Sequence, residues 1–262
     1  VFTIFFSYIR SLVILFKAKP TLVFGMGGYA SFPVCIAART LNIPFIIYEN
    51  NIQIGKSNKY LLPFAFKIFI SYQDLVGIKN KYDHKVIFTG NIIREEIINF
   101  QKKNQFTPDI LNILVLGGSQ AAKCFGEILP KVFEKCKKEN INIKIFQQCI
   151  EAQNERLKEE YENLKITYEL FNFTNNIIDY FSKAELVITR SGSSITAELI
   201  NCKIPFISVP YSYSADAHQD KNAIYFEKKG YSFLIKESEV NQKLFPLIES
   251  IYKDKEILNK LV

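Results

Sequence analysis

The sequence predicts an α/β protein with two doubly wound parallel sheets. Three observations support this fold class: short apolar runs alternate with helix-patterned segments, most runs end in a glycine or a polar loop, and the pattern restarts after a polar stretch. A chain of 262 residues, 48% of them hydrophobic, is long and apolar enough for two domains. We expect a first domain over residues 1–100, a linker over 101–111 and a second domain over 112–262.

The first segment, residues 1–17, predicts a helix with one narrow polar stripe. This stripe comprises Thr3, Ser7, Arg10 and Lys17, and apolar side chains occupy the rest of the helix surface. The run is shorter than the roughly 20 residues that a membrane span requires, and Arg10 interrupts it. Two alternatives stay open on the residues alone: a helix buried in the domain core, or a helix lying partly in a membrane interface beside basic residues.

Four short apolar strands are predicted in the first domain. They cover residues 21–24, 44–48, 67–71 and 85–89. The first strand runs into a glycine-rich turn, and Ser31 with Pro33 marks the start of the next helix. The second strand is apolar until Glu49, as a buried parallel strand should be, and a helix is expected after Asn91.

The second domain repeats this alternation of strands and helices. Its predicted strands cover residues 112–116, 141–146, 166–170, 186–189, 204–209 and 232–235. The first of them ends in a loop at residues 117–119, and a helix is expected from Ala121. Ligands of such sheets bind beyond the carboxyl ends of the strands, so the loops there are the candidate site.

The charge distribution argues against a nucleic-acid-binding protein, and the cysteine and histidine content argues against a metal site. Although Lys and Arg outnumber Asp and Glu by 33 to 26, the basic residues are scattered, which argues against nucleic acid as a partner. An anionic membrane surface would attract the same charge. The five cysteines are dispersed, and His84 and His218 are the only histidines, so the sequence favours free thiols in a reducing compartment and no metal site.

The stretch from Val187 to Asn222 carries the clearest chemistry. A β-branched run stops at Arg190-Ser191-Gly192, and helical spacing follows a hydroxyl cluster made of Ser193, Ser194 and Thr196. The start of this helix has unpaired backbone N–H groups and the positive end of the helix dipole, so an anion such as phosphate is the expected ligand. Glu198 can accept two hydrogen bonds from a vicinal diol such as a ribose. Together these features predict a nucleotide site.

These motifs resemble those of the MurG family, bacterial enzymes that transfer N-acetylglucosamine from UDP to undecaprenyl-pyrophosphoryl-MurNAc-pentapeptide. The strings R-S-G-S-S-I-T-A-E and P-Y-S-Y-S-A-D-A-H-Q are similar to its nucleotide-sugar signature. Four other segments match in the same order: Gly25-Met26-Gly27-Gly28-Tyr29, Tyr48-Glu49-Asn50-Asn51, Thr89-Gly90-Asn91 with Arg94, and Gly117-Gly118-Ser119-Gln120. The resemblance implies a GT-B type glycosyltransferase fold with an incomplete first domain, and inverting, metal-free transfer without a cofactor.

The resemblance also assigns residues to the UDP-GlcNAc donor site. Arg94 and Ser119 are expected near the diphosphate, beside the start of the helix that carries Ser193, Ser194, Thr196 and Glu198. It places Asn51 and Gln219 at the donor sugar and the backbone of Thr174 at the uracil. The glycine loop with Gly25, Gly27, Gly28 and Tyr29 is implied to hold the lipid-linked MurNAc-pentapeptide acceptor, although on the residues alone it could be a tight turn.

Two departures from the family pattern bear on catalysis. MurG-like chains open with a G-G-T-G-G-H loop whose histidine lies near the reaction centre, and this sequence begins beyond that loop, so the general base is unassigned. Tyr48 replaces the histidine of the H-E-x-N motif. His218 reads as a loop histidine rather than a base. Three alternatives stay open for this loop: the sequence is a fragment, a separately encoded N-terminal segment supplies the loop as a further partner, or the protein is a decayed enzyme that still binds nucleotide. We expect negligible transfer by this chain alone.

The resemblance favours a membrane-interface position for the first helix, at the cytoplasmic face of the bacterial inner membrane. It leaves two other functions to be weighed. The first is a non-catalytic UDP-sugar-binding subunit that needs a partner chain. The second is another UDP-sugar enzyme such as an epimerase, which the glycine loop and the G-N-x-x-R segment disfavour.

Overall fold

The computed structural model describes residues 2–100, 109–211 and 214–261, without the side chains of residues 2, 118–122 and 215. The chain divides into two compact units, Val1–Ile92 and Ile93–Val262, each with its own sheet and its own core. Most of the predicted linker, residues 101–108, lies outside the described residues.

In the described part of the first unit, the strands form a four-stranded parallel sheet in the order β1-β2-β3-β4. Its elements are α1 (Phe2–Ala18), β1 (Val23–Gly25), α2 (Gly28–Thr40), β2 (Phe45–Glu49), α3 (Lys56–Leu61), β3 (Lys67–Ile70) and β4 (Val86–Phe88). The predicted strands are confirmed with ends shifted by one or two residues. Helix α3 and a 3₁₀ turn at Asn80–Lys85 were not predicted, because both are short and irregular in pattern.

The core of the first unit lies on one face of this sheet. Helices α1 and α2 pack there, and an added Cβ at Gly25 would lie 2.7 Å from the Cys35 sulfur of α2, so only glycine allows this approach. Alternate strand residues point to the other face. On that face Phe24 is 44% exposed and Ile87 39% exposed, and the rings of Phe24 and Phe69 lie 6.1 Å apart. This second face is therefore apolar and largely open.

Helix α1 combines features of both alternatives left open by the sequence. Leu15 is buried, and Tyr8 and Leu12 pack partly on the core. The exposed apolar side chains of the helix are Ile4, Phe5, Phe6, Ile9, Val13, Ile14 and Phe16. Within the described residues, no helix is both long enough and apolar enough to cross a bilayer.

In the described part of the second unit, the strands form a six-stranded parallel sheet in the order β10-β9-β8-β5-β6-β7. Its strands are β5 (Leu111–Leu116), β6 (Ile143–Gln148), β7 (Thr167–Phe171), β8 (Leu186–Thr189), β9 (Phe206–Ser208) and β10 (Ser232–Leu234). Its helices are α4 (Glu95–Ile98), α5 (Gly118–Lys138), α6 (Asn154–Asn163), α7 (Ile177–Lys183), α8 (Ser193–Asn201), α9 (His218–Lys228), α10 (Val240–Lys253) and α11 (Glu256–Asn259).

The strand order of the second unit reverses between β5 and β8. From β5 the chain runs outward through β6 and β7, then returns to β8 and runs outward through β9 and β10. This is Rossmann-like topology, in which ligands bind in the crevice outside the switch point. The fold class is thus confirmed for this unit. One detail is corrected: β5 ends at Leu116 and α5 begins at Gly118, so the predicted loop at residues 117–119 is reduced to Gly117.

Candidate functional site

A cavity of about 700 Å³ lies beyond the carboxyl ends of β5 and β8, at the switch point of the second unit. Residues from the end of β5, the start of α8, the β7–α7 connection and the turn after β9 form its walls. The predicted site residues in its lining are Arg94, Thr174, Ser193, Ser194, Glu198 and Gln219. Residues that are far apart in sequence therefore meet where the topology places a ligand.

The start of α8 forms the most polar wall. Gly192, Ser193 and Ser194 line the cavity there, so the positive end of the helix dipole lies at its edge. Thr196 is buried instead, and its hydroxyl donates to the Gly192 carbonyl oxygen at 2.8 Å. Thr196 lies outside the described lining of the cavity, whereas the two serines belong to it.

Glu198 is held by an arginine from another element. The Nε and Nη2 atoms of Arg94 lie 3.1 and 3.0 Å from the two carboxylate oxygens, a bidentate ion pair. This hydrogen bonding raises the pKa of the Arg94 guanidinium. A carboxylate has about four acceptor sites, so a ribose diol can still bind Glu198 while Arg94 stays in place. The expected contact between Arg94 and a diphosphate stays a prediction.

The β7–α7 connection supplies an aromatic wall that the sequence reading missed. Phe173 lines the cavity and is 77% exposed, so its ring is open to a stacking partner. Beside it, the Thr174 hydroxyl accepts a hydrogen bond from the Asn176 N–H at 3.0 Å, which commits this side chain to its own turn. A single phenylalanine in a polar loop has no periodic pattern that would have marked it.

The turn after β9 contributes Tyr211 and the first turn of α9 contributes Gln219, and a buried arginine holds the turn. The Gln219 Oε1 atom accepts a hydrogen bond from the Tyr211 N–H at 2.9 Å. Arg190, which is only 6% exposed, also lines the cavity, and it donates to the Val209 carbonyl oxygen at 3.1 Å. The sequence marks Arg190 only as the residue that ends a strand, because neighbouring residues do not indicate that an arginine is buried.

The first turn of α5 carries Ser119, whose side chain lies outside the described residues. The N–H of Gly117, one residue before α5, donates to the Gln148 side-chain oxygen at 3.2 Å. Gly117 and Gln148 both line the cavity. The role expected for Ser119 at a diphosphate stays a prediction.

The H-E-x-N-like segment of the first unit is held by its own carboxylate. Buried Glu49 accepts hydrogen bonds from the Asn51 side chain at 3.0 Å and from the Asn58 side chain at 2.9 Å. Tyr48 is also buried, and its hydroxyl accepts from Ser71 at 2.7 Å and from the Ile92 N–H at 3.1 Å. Tyr48 therefore links β2 to residues 71 and 92 of the first unit. The contact expected between Asn51 and a donor sugar stays a prediction.

The glycine loop after β1 depends on glycine for its shape. Gly27 and Gly28 have φ angles of 80° and 75°, a conformation that other residues rarely adopt. Helix α2 begins at Gly28, and Tyr29 in its first turn is 70% exposed. Gly25, the last residue of β1, completes this loop at the carboxyl end of the strand. The loop is thus a tight turn at a helix start, and an acceptor-binding role is compatible with that geometry.

A metal site and a histidine base were both sought in the described part of the chain. The described residues contain no group of three or more His, Cys, Asp or Glu side chains arranged to hold a metal ion. The His218 ring lies 3.7 Å from the Asp216 carboxylate, and neither residue belongs to the described lining of the cavity.

Comparison with known protein families matches both units. The glycosyltransferase family 28 C-terminal domain matches residues 112–260, and the N-terminal domain of the same family matches residues 1–70. The UDP-N-acetylglucosamine–N-acetylmuramyl-(pentapeptide) pyrophosphoryl-undecaprenol N-acetylglucosamine transferase of Pelagibacter ubique is 33% identical over 99% of this chain and 73% of its own length. The enzyme of the same name from Francisella tularensis is 31% identical over 98% of this chain and 71% of its own length.

Solved structures show the same fold. The crystal structure of Acinetobacter baumannii MurG superposes with a TM-score of 0.78 at 25% identity, covering 99% of this chain and 74% of that one. The Staphylococcus aureus MnaA–UDP structure superposes with a TM-score of 0.72 at 16% identity, over 99% of this chain and 74% of that one. At that identity the second likeness concerns the fold alone.

Proposed function

The chain belongs to the MurG family of glycosyltransferases, family 28, and we propose that it transfers N-acetylglucosamine from UDP-GlcNAc to undecaprenyl-pyrophosphoryl-MurNAc-pentapeptide in peptidoglycan synthesis. It is a hexosyltransferase of GT-B type with two Rossmann-like parallel sheets. The observation that carries the proposal is a single cavity where a helix start, a carboxylate and an exposed aromatic ring meet at the switch point of the second unit.

The uracil, the ribose and the diphosphate of UDP-GlcNAc each have a chemical counterpart in this cavity. The uracil stacks on Phe173 beside the backbone of Thr174, and the ribose diol donates to Glu198. The diphosphate lies at the start of α8, where Ser193 and Ser194 add hydroxyl donors. A cavity of about 700 Å³ is of the size that proteins use for ligands as large as a nucleotide sugar.

The proposed reaction is inverting and proceeds without a metal ion. The 4-hydroxyl of the MurNAc acceptor attacks C1 of the donor sugar, the bond from C1 to the UDP oxygen breaks, and the hydroxyl proton passes to a base that is unassigned. Negative charge then grows on the departing diphosphate. Oriented N–H groups at the starts of α5 and α8 stabilise that charge, with Arg94 and Ser119 as further donors.

A transfer assay tests the proposed function. Radiolabelled UDP-GlcNAc is mixed with lipid-linked MurNAc-pentapeptide in vesicles, and label in the lipid fraction is measured with and without the protein. Protein-dependent transfer supports the proposal. Lack of both transfer and UDP-GlcNAc binding contradicts it.

The aromatic wall gives a separate prediction for the nucleotide. We expect Phe173→Ala to weaken UDP binding by about 1 to 3 kcal/mol, the range for loss of one base-aromatic stack. Isothermal titration calorimetry measures the effect. Phe66→Ala is the matched control, because Phe66 is also exposed but belongs to the first unit. Equal UDP affinity in Phe173→Ala and the unmodified protein would contradict the assignment of Phe173.

We also propose that α1 holds the protein at the cytoplasmic face of the bacterial plasma membrane as a peripheral protein, where the lipid-linked acceptor is found. Its exposed apolar side chains include Phe5, Phe6 and Phe16, and Arg10 and Lys17 lie on the same helix. Such a helix buries its apolar side chains at the acyl boundary and attracts anionic headgroups through its basic residues. In this position the enzyme would serve cell-wall growth and, through it, cell shape and division.

The open face of the first sheet favours a second candidate function, that of a UDP-sugar-binding part that needs a further segment for transfer. Parallel sheets are normally covered on both faces, yet Phe24 and Ile87 are exposed. A separately encoded segment with an amphipathic helix would cover them. Binding of UDP-GlcNAc without transfer, together with transfer once such a segment from the Pelagibacter relative is added, would favour this candidate.

A further inference from the structure

Arg190 is a buried cation at the floor of the donor cavity. A buried guanidinium is costly unless its charge is balanced and its N–H groups find acceptors. Here Nη1 lies 2.5 Å from the Glu237 carboxylate, and it donates to the carbonyl oxygens of Val209 at 3.1 Å and Pro210 at 3.2 Å. The Glu237 carboxylate balances the charge, and the two carbonyl groups tie Arg190 to the end of β9.

Two aromatic rings restrict the orientation of this guanidinium. Its central carbon lies 4.9 Å from the ring centre of Phe125 and 5.5 Å from that of Tyr211. A flat guanidinium can stack on rings and donate hydrogen bonds within its own plane at the same time, whereas a lysine ammonium is a compact point charge with no plane to stack. The site therefore requires the arginine side chain and not only a positive charge.

The turn that Arg190 holds is hydrogen-bonded to the Gln219 side chain. Val209 and Pro210 supply the carbonyl groups that Arg190 binds, and the next residue, Tyr211, donates its N–H to Gln219 Oε1 at 2.9 Å. With its oxygen fixed in this way, the Gln219 amide presents its N–H donors to a ligand. Arg190, Tyr211 and Gln219 all line the cavity.

We propose that Arg190, paired with Glu237, is a positioning residue for the sugar end of the donor site. It fixes the turn at residues 209–211, and that turn fixes the amide of Gln219 against the GlcNAc hydroxyls. This inference rests on the proposed function, since it takes Gln219 as the sugar contact. Arg190 thereby affects the affinity for the sugar part of the donor through Gln219, and it leaves the affinity for the nucleotide part unchanged.

The test compares UDP-GlcNAc with UDP as ligands of one variant. We expect Arg190→Lys to weaken UDP-GlcNAc binding by about 3- to 10-fold, the range for one hydrogen bond, and to leave UDP binding unchanged. Glu237→Gln, which keeps Arg190, should give a smaller loss of the same selective kind. Arg156→Lys is the matched control, because Arg156 also joins a carboxylate, that of Glu160, to a backbone carbonyl but lies outside the cavity lining.

A double-mutant cycle separates positioning from general stability. If Arg190 acts through Gln219, then Arg190→Lys should cost no further UDP-GlcNAc affinity in a Gln219→Ala background. Additive losses, equal losses for UDP and UDP-GlcNAc, or no loss in Arg190→Lys would each overturn the inference. Failure of the unmodified protein to bind UDP-GlcNAc would instead overturn the proposed function. Thermal unfolding of every variant checks that the fold is intact. If Arg190→Lys does not fold, the same comparison of UDP-GlcNAc with UDP is made with Glu237→Gln.

Discussion

Replacement of Glu198 by alanine is expected to weaken UDP binding by about 1.5 to 3 kcal/mol, or roughly 10- to 150-fold, without unfolding the protein. The loss follows from two hydrogen bonds between the ribose diol and a carboxylate that Arg94 holds in place. The fold should survive because Arg94 is about half exposed and can be hydrated once its partner is removed. Calorimetric titration of UDP into both proteins measures the difference.

Glu96→Ala is the control for this experiment. Glu96 also lies near Arg94, at 3.6 Å, but it is exposed and outside the cavity lining. Its loss should leave UDP affinity unchanged. A folded Glu198→Ala protein with unchanged UDP affinity would remove the donor-site assignment.

Replacement of Phe5 and Phe6 by aspartate is expected to abolish binding to vesicles that contain anionic lipid. Both rings are exposed on α1, and burial of two such side chains contributes about 2 kcal/mol or more, a change of roughly 30-fold in partitioning. UDP affinity should not change, since α1 belongs to the first unit and the donor cavity to the second. Sedimentation with vesicles measures the partitioning.

The control for charge is the pair Ile98→Asp and Ile224→Asp. These isoleucines are exposed on the second unit, so the pair adds the same charge away from α1. Equal loss of vesicle binding in both double variants would mean that net charge, and not α1, governs binding. Loss of folding in the Phe5 and Phe6 variant would show that these rings belong to the core.

The parts of the site that could be predicted are those that local chemistry specifies. A glycine or hydroxyl cluster after an apolar strand marks a strand end and a helix start, so Gly117, Ser193 and Glu198 could be placed before the fold was known. Alternation of strands and helices also predicted both parallel sheets. The strand order of both sheets bears out the second of these expectations.

The parts that could not be predicted depend on contacts between distant residues. Arg94 and Glu198 are 104 positions apart, and nothing local indicates that they pair. Ser193 and Thr196 belong to one hydroxyl cluster in the sequence, whereas in the structure only Ser193 lines the cavity and the Thr196 hydroxyl donates to the Gly192 carbonyl oxygen. The role of Arg190 depends on the pairing of β9 with β8, which brings the Val209 and Pro210 carbonyl groups to its guanidinium.

A crystal structure of the protein with UDP-GlcNAc tests the central claim most directly. The account predicts density in the cavity beyond β5 and β8, with the uracil on Phe173, the ribose hydroxyls on Glu198, and the sugar within hydrogen-bonding distance of the Gln219 amide. The Arg94–Glu198 pair should remain intact beside the bound ribose. Density for UDP-GlcNAc elsewhere on the protein, or a ribose that makes no contact with Glu198, would contradict the account.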